Sequence, residues 1–532
     1  MSAPQEGGEV TVDPRPHLVA LVGNSIEHDN RVRKTAAAAA EMGLRVTIVA
    51  FTAQGQLFTS WMDDVEIVNV PVDFTLRDHA IEHRRFMRRL MFPLGYANPL
   101  AGKAAARRRR VAEMSVVIDE GRAVERGDYA TTTVRGFLAR VHRNVRKAWN
   151  RGRRTIVRAR SRVWRFYNSR RFPHDRARAM WWFGHRPMGN WRRLVPEYFD
   201  YDVSFGPVID GLEPDLIHAH DVNMIGVASN AVDRAHGRGR TVSWLYDAHE
   251  YVPGIYRYSG DRLAGMADHE REFIKRADAV LTVSDAVADA VQSRTGLAVR
   301  PTVILNASSR ERSKLANPPS VRAAAGVPDD LPLLVYSGNI HAGRGVTELV
   351  EAIPLFDPSV HVAIVTNLTN DNLYVQSLVE IAAMTGCADR LHFVPYVPGE
   401  EIVDYLSTAT VGVSGLKHMP NHEMALPNKL FEYMHAGLPM LVSDVKSLAE
   451  FVTELGIGEV YPSGDVAALA EGVALLLRDR DRYVRALRSD QDLLTTYSWE
   501  RQVELLREVY QGLIGRPLGR PEAISAPDRG HA

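Results

Sequence analysis

This sequence predicts an α/β protein with two doubly wound parallel-sheet domains, and three observations point there. Short apolar runs ending in or beside Gly alternate with helical stretches, as in β-α-β units with right-handed crossovers. The alternation occurs twice, over residues 18–305 and again over 333–513. Between the two series lies a polar stretch, residues 308–327, whose Pro318-Pro319 suits a linker. A chain of 532 residues is also too long for one ordinary core.

The first series opens with Leu18-Val19-Ala20-Leu21-Val22-Gly23, an apolar run of the kind a buried parallel strand needs. An Ala-rich helix over 30–42 ends at Gly43, and strands over 45–51 and 65–70 follow. The pattern then breaks: residues 76–201 are Arg-rich and helical by residue type. It resumes with strands over 215–220, 241–246, 279–283 and 302–305, separated by helices over 226–235, 264–277 and 285–295. The second series has strands over 333–338, 361–366, 391–394, 410–413 and 440–443. Helices over 346–352, 374–385, 399–407 and 429–436 alternate with them, and helices over 466–477 and 498–513 close the domain. The expected organisation is a first domain at 1–310 with a basic helical insertion at about 76–201, a linker at 311–327 and a second domain at 328–497. A helix at 498–515 packing back on the first domain and a flexible tail at 516–532 complete it. Two such domains place a ligand cleft between facing strand ends.

Composition narrows the class. An apolar fraction of 45% and a charged fraction of 24% are those of a soluble globular protein. The single cysteine, Cys387, leaves no internal disulfide and fits a reducing compartment. Residues 1–16 are polar, without the apolar core of a secretory signal. No apolar run reaches the ~18 residues needed to span a bilayer. The expected location is the cytoplasm, with peripheral attachment to the inner membrane face as an open alternative.

The net charge of +1 conceals an asymmetry: residues 84–193 hold 30 Lys and Arg against six Asp and Glu. Within that segment Trp149, Ile156, Val163 and Phe166 recur at broadly helical spacing among arginines, and Trp181, Trp182, Phe183, Trp191 and Tyr198 add aromatic anchors. A basic amphipathic helix of this kind suits an anionic membrane surface. A helical subdomain that keeps its charge in solvent is the competing reading. Nucleic acid is set aside as a partner, because no recognised motif accompanies the arginines.

Chemistry concentrates in Leu426-Pro427-Asn428-Lys429-Leu430-Phe431-Glu432-Tyr433-Met434-His435-Ala436-Gly437. Lys429 and Glu432 stand three apart at the start of a helix, hence on one face. The same helix end directs free N–H groups outward and favours anions. An ammonium, backbone donors and a carboxylate together match a diphosphate and the hydroxyls of a ribose, the mix found in a nucleotide sugar.

With Asp29, Arg31, Val32 and Lys34 before the first helix, Tyr246-Asp247-Ala248-His249-Glu250, Ala277-Asp278-Ala279, Val303-Ile304-Leu305-Asn306, Tyr336-Ser337-Gly338-Asn339, Gly343-Arg344-Gly345 and Tyr497-Ser498-Trp499-Glu500, the chain resembles the family-4 retaining glycosyltransferases of GT-B fold. The resemblance covers both α/β domains in order but not the basic insertion. It implies a nucleotide-sugar co-substrate bound by the second domain, a glycan, lipid-linked or small-molecule acceptor on the first, and no cofactor or metal. It makes Arg344 and Lys429 the cations that hold the diphosphate and stabilise the leaving group, and Glu432 the ribose-binding acid. Gly23 and Asn24 would let backbone approach the phosphates, and Gly338, Asn339, Asn428 and Leu430 complete the donor set. His249 becomes a catalytic or sugar contact, with Asp221, Glu250 and His220 as weaker candidates at the same edge.

Two departures from the family pattern stand out. Many members carry Glu eight residues before the position of Glu432; here that place is Met424, with Glu423 beside it as a substitute hydroxyl contact if the loop is rearranged. Asn339 follows Gly338 where many members have Arg, and Arg344 takes the place of a later Lys. A nucleotide-sugar epimerase and a catalytically silent binding or scaffold protein of the same fold are the alternatives.

Overall fold

The computed structural model describes residues 13–78 and 191–519, apart from 259, 313–314, 370 and 490, together with Val141, Val145 and Ala148. The chain forms two compact units, Met1–Asp73 with Tyr198–Ala532, and Phe74–Glu197. Both sheets belong to the first. The membrane-surface stripe at Trp149, Ile156, Val163 and Phe166, and the aromatics Trp181, Trp182 and Phe183, lie outside the described residues. Trp191 and Tyr198 are described, and at 3% and 4% exposure neither is a free interfacial aromatic. Tyr198 instead packs against His269, with ring centroids 4.5 Å apart. No helix among the described residues is long and apolar enough to cross a membrane.

The first sheet has eight strands: β1 (His17–Val22), β2 (Arg45–Thr52), β3 (Phe58–Met62), β4 (Val65–Pro71), β5 (Leu216–His220), β6 (Ser243–Ala248), β7 (Ala279–Thr282) and β8 (Thr302–Val303). Their order is β3-β4-β2-β1-β5-β6-β7-β8. Every pairing is parallel except β3 with β4. β3 is absent from the sequence reading and makes the sheet mixed. It hairpins through Asp63-Asp64, with Asp63 at φ +51°, the left-handed conformation that two-residue hairpin turns require. β1 is buried at all six positions because it has strands on both sides and helices on both faces. Helix α1 (Asn30–Glu41) starts where Asp29 accepts the Val32 N–H at 3.2 Å and runs through five alanines, the best helix formers.

The second sheet contains β9 (Leu333–Ser337), β10 (His361–Val365), β11 (Leu391–Val394), β12 (Val411–Ser414), β13 (Met440–Ser443) and β14 (Gly458–Tyr461). It is parallel throughout, in the order β11-β10-β9-β12-β13-β14. Two buried clusters cover its faces. The polar stretch read as a linker is partly packed: Ser320 caps the short helix Val321–Ala325, and Val321 and Val327 join the second domain's core. The helices Glu197–Leu212, Lys446–Leu455, Arg480–Ser489 and Gln491–Thr496, and strand β14, are further additions. The first of these contains Pro207, which spoils its helical signature in sequence. Helix α2 (Asn428–His435) packs under β9 and β12. Helix α3 (Trp499–Ile514) places Leu506 and Tyr510 in the first domain's core.

Among its parallel strands each sheet reverses its order once, between β1 and β5 and between β9 and β12. Ligands of open parallel sheets bind beyond the carboxyl ends of strands at such reversals.

Candidate functional site

A cavity of about 520 Å³ lies at these strand ends, between the two sheets. His249 and Glu250 follow β6, Val283 follows β7, and Ser337, Gly338 and Asn339 sit at the end of β9; all line it. Arg344, Asn428, Lys429 and Glu432 line it from the second domain, and Arg257 and Asn306 from the first. The two walls touch directly. Ser284 Oγ, which caps the helix Asp285–Thr295, donates to the Met424 carbonyl at 2.6 Å, and Tyr256 Oη lies 3.2 Å from His341 Nε2.

On the second-domain side α2 is bolted in place by Tyr433. Its hydroxyl receives the Ser337 N–H at 3.0 Å and lies 3.2 Å from the carbonyls of Val335 and Val413. This turns the Lys429 and Glu432 face toward the cavity, with both residues almost fully buried at 7% and 8% exposure. Lys429 Nζ stands 3.5 Å from the centre of the Tyr336 ring, a cation–π contact. Burial pushes the ammonium well below its usual pKa, Arg344 adds to this, and Glu432 opposes it. Burial raises the Glu432 carboxyl, while Lys34 and Lys429 pull it back, and the Ser337 hydroxyl approaches it at 3.5 Å. Arg344 ends a short turn, Ala342–Arg344, that Gly345 makes possible. Gly345 has φ +70°, and a Cβ there would meet the Gly415 carbonyl oxygen at 1.8 Å, so no other residue fits. Among the described residues no carboxylate lies within ion-pair distance of Arg344 or Lys429. Two neighbouring cations in a half-enclosed site favour an anion.

The first-domain side is a buried polar network. Asp247, fully inaccessible, receives a two-pronged hydrogen bond from Arg31: Nε to Oδ2 at 2.7 Å and Nη2 to Oδ1 at 2.8 Å. Burial opposes the Asp247 charge, but Arg31, then His249, hold it well below the usual carboxylate range. His218 and His220 stack at 3.9 Å, and His220 Nδ1 lies 3.1 Å from His249 Nε2. Burial pushes His220 well below 6.5, which keeps this ring neutral beside His249. His249 itself is lifted to about 9: burial works against the charge, but Asp221 and Asp247, each 3.5 Å away, outweigh it. Asp221 has φ +64°, backbone strain of the kind found at working sites.

Of the residues singled out in the sequence, Gly338, Asn339, Arg344, Asn428, Lys429, Glu432, His249 and Glu250 are brought together in the cavity wall. Six others fall outside it, among them His220, which is buried against His218 and His249. Gly23 sits against Asn223 and Met224, and its carbonyl accepts from Tyr201. Asn24 donates to Asp29. Leu430 is fully buried in the core, and its N–H is taken by the Pro427 carbonyl. Asp221 supports His249 from behind the wall. Glu423 turns away to His418 Nδ1 at 2.6 Å and the Lys446 N–H at 2.9 Å, so it does not substitute for the acid missing at Met424. Arg257, His341, Tyr396 and His422 line the cavity without having been singled out. They come from loops whose only sequence signal is a polar or aromatic residue just past a strand or turn.

Two groups among the described residues bring three ligand-type atoms within 4.8 Å: His218, His220 and Asp247, and Asp29, Asp221 and His249. In the first, Arg31 already occupies both Asp247 oxygens. In the second, Asp29 is committed to capping α1 and to Asn24, and Asp221 to His249.

Residues 106–312 match a family model described as Glycosyltransferase Family 4, and residues 319–490 match one described as Glycosyl transferases group 1. The first match begins within the basic segment, further into it than the sequence motifs reach. The chain is 27% identical over 259 residues to a D-inositol 3-phosphate glycosyltransferase of Nocardia farcinica, covering 45% of this chain and 56% of that protein. It is 24% identical over 312 residues to a 2-deoxystreptamine N-acetyl-D-glucosaminyltransferase of Streptomyces fradiae, covering 58% and 73%. The chain thus spans about half the length of the inositol-phosphate relatives it matches. In fold it is similar to sucrose-phosphate synthase from Thermosynechococcus elongatus, with TM-score 0.58 and 15% identity over 94% of this chain and 100% of that one.

Proposed function

This chain belongs to the family-4, group 1 glycosyltransferases, with the GT-B fold, and on that footing we propose that it moves a sugar from a nucleoside-diphosphate sugar to a glycan, lipid-linked or small-molecule acceptor, with retention at the anomeric carbon. One observation carries the reading: Arg344, Lys429 and Glu432, from a turn and a helix face of the second domain, converge on one cavity that the first domain closes.

In this reading Glu432 accepts hydrogen bonds from the ribose hydroxyls, and Lys429 and Arg344 hold the diphosphate. Arg provides a planar fork for phosphate oxygens and Lys a point charge. As the bond from the anomeric carbon to the phosphate oxygen breaks, negative charge grows on the departing diphosphate, where the two cations stand ready. The acceptor hydroxyl forms its bond from the same face, and its proton passes to the leaving phosphate oxygen. His249, charged at neutral pH, adds a fixed cation at the sugar end. With these groups in place the reading calls for a nucleotide sugar as co-substrate and no cofactor. The basic residues of segment 84–193 support a second contact, with an anionic membrane surface. Co-sedimentation with vesicles that does not depend on phosphatidylserine would remove that part.

Thermal shift against UDP, GDP, ADP and their sugars tests donor binding, because a ligand held only by the folded state raises stability with the logarithm of its excess. The stabilising donor, radiolabelled in its sugar, is then offered acceptors. Label appearing in a new product supports transfer. Label isomerised while still on the nucleotide would make the protein an epimerase, and binding of no nucleotide at all would leave a scaffold.

A further inference from the structure

Two side chains at the head of α1, Arg31 and Lys34, have no part in the chemistry above, yet both are directed at the segments that carry it. Arg31 is 7% exposed and uses its guanidinium along two edges. One edge grips Asp247, two residues before His249. The other sends Nη1 to the Ile304 carbonyl at 2.7 Å and to Asn306 Oδ1 at 2.9 Å. A single planar group therefore ties together the start of α1, the end of β6 and the exit of β8. Two of those three segments deliver cavity-lining side chains, His249 and Asn306. One turn further along α1, Lys34 Nζ donates to the Ala307 carbonyl at 3.1 Å and lies 5.4 Å from the centre of the Trp499 ring. Burial weighs on its ammonium, and Glu432 of the other domain is the foremost charge supporting it. Glu432 is faced in turn by Lys34 from α1, by Lys429 from its own helix, and by the Ser337 and Tyr396 hydroxyls.

We infer that Arg31 and Lys34 are positioning residues of the cleft: Arg31 sets His249 and Asn306 in place through Asp247 and the β8 exit, and Lys34 pins that exit through the Ala307 carbonyl. The inference rests on the glycosyl-transfer reading of the cavity. Stability alone does not account for the Arg31–Asp247 pair, since a buried ion pair is roughly neutral in stability against a well-packed apolar replacement. What it provides is placement, and placement of reacting groups within a fraction of an ångström governs turnover. Lysine cannot reproduce it, having a point charge where the site uses a fork with donors on two edges.

Arg31→Lys and Lys34→Met separate the two roles. Affinity for UDP and GDP is measured by calorimetry. Turnover is read as nucleoside diphosphate released from UDP-glucose, UDP-N-acetylglucosamine or GDP-mannose, whichever the wild type uses. Arg31→Lys is expected to bind the nucleoside diphosphate within about twofold of wild type while kcat falls about 100-fold. Lys34→Met is expected to weaken nucleotide binding about tenfold and to change kcat at saturating donor by less than about threefold. A purely structural role would lower affinity and kcat together in both variants. That result, or wild-type kcat in Arg31→Lys, overturns the inference. Should Arg31→Lys fail to fold, Asn306→Ala carries the test, since it leaves the Asp247 and Ile304 bonds intact; an unchanged kcat there also overturns it. A wild type that binds no nucleotide defeats the functional reading itself.

Discussion

The two walls of the cleft are built in opposite ways. The second-domain wall is local: Lys429 and Glu432 share eight residues of helix, and Arg344 ends a turn set by two nearby glycines. The first-domain wall is assembled from afar. Arg31 reaches Asp247 across 216 positions and Asn306 across 275, and His218 is held by Tyr510 at 2.8 Å across 292. The local wall leaves its cations without carboxylate partners among the described residues, whereas the distant wall neutralises its charges internally. One side is prepared to receive an anion; the other is prepared to hold still. Charge destined for a ligand sits on few residues, and charge destined for geometry is spread over many.

Breaking the receptive wall should have the largest effect. Arg344→Ala and Lys429→Met are each expected to reduce donor turnover about 10³-fold, as removal of a transition-state charge contact does. Because Lys429 is a buried cation whose pKa burial pushes well down, Lys429→Met should leave the melting temperature of the ligand-free protein unchanged or higher. A lower melting temperature would mean the lysine serves the fold. Next comes Glu432→Ala, expected to weaken nucleoside-diphosphate binding about 10- to 100-fold without unfolding the protein. Donor affinity unchanged in both Glu432→Ala and Arg344→Ala would remove the assigned site.

The rigid wall is sharpened by pH. His249 has its pKa raised to about 9 from an ordinary 6.5, so its charged form is favoured by folding. Its contribution to stability is therefore complete below about pH 6.5 and lost as pH rises through about 9. Turnover should hold through neutral pH and fall as pH approaches 9. Burial lowers the Lys429 ammonium as well, so the comparison with His249→Gln is the deciding one. That variant should lose the part of the decline that belongs to the imidazolium, and an unaltered profile would show that His249 does not titrate there. The smallest effect is expected at Glu423. Its side chain braces His418 and the start of the helix Lys446–Leu455, so Glu423→Gln should cost about 1 kcal/mol and alter donor affinity less than about twofold. A tenfold loss of affinity would place that acid in the sugar site after all.

The same contrast explains what was readable in the sequence. Parallel strands announced themselves as apolar runs, because burial on both faces leaves no alternation to obscure. The Lys429 and Glu432 face was readable because three-residue spacing on a helix is a local rule. Leu430, which the resemblance had put in the donor set, stands between them in sequence but is fully buried in the core. β3 was missed because its burial alternates and Trp61 is exposed, so it lacks the apolar run of its neighbours. Glu423 was offered as a sugar contact on proximity to Met424 alone, and two hydrogen bonds with distant partners decided otherwise. His220 and His249 were named from the sequence, but their pairing with Asp247 and His218 had no sequence signature. His218, His220, Asp247 and His249 meet only because β5 and β6 are adjacent and in register, His220 opposite Asp247.

The Ser284 bond that joins the two walls has an acceptor drawn from main chain, the carbonyl of Met424. Substitution at 424 changes a side chain but leaves that main-chain oxygen where it is. Side-chain drift at 424 therefore leaves this fastening in place, whereas loss of the hydroxyl at 284 removes its donor.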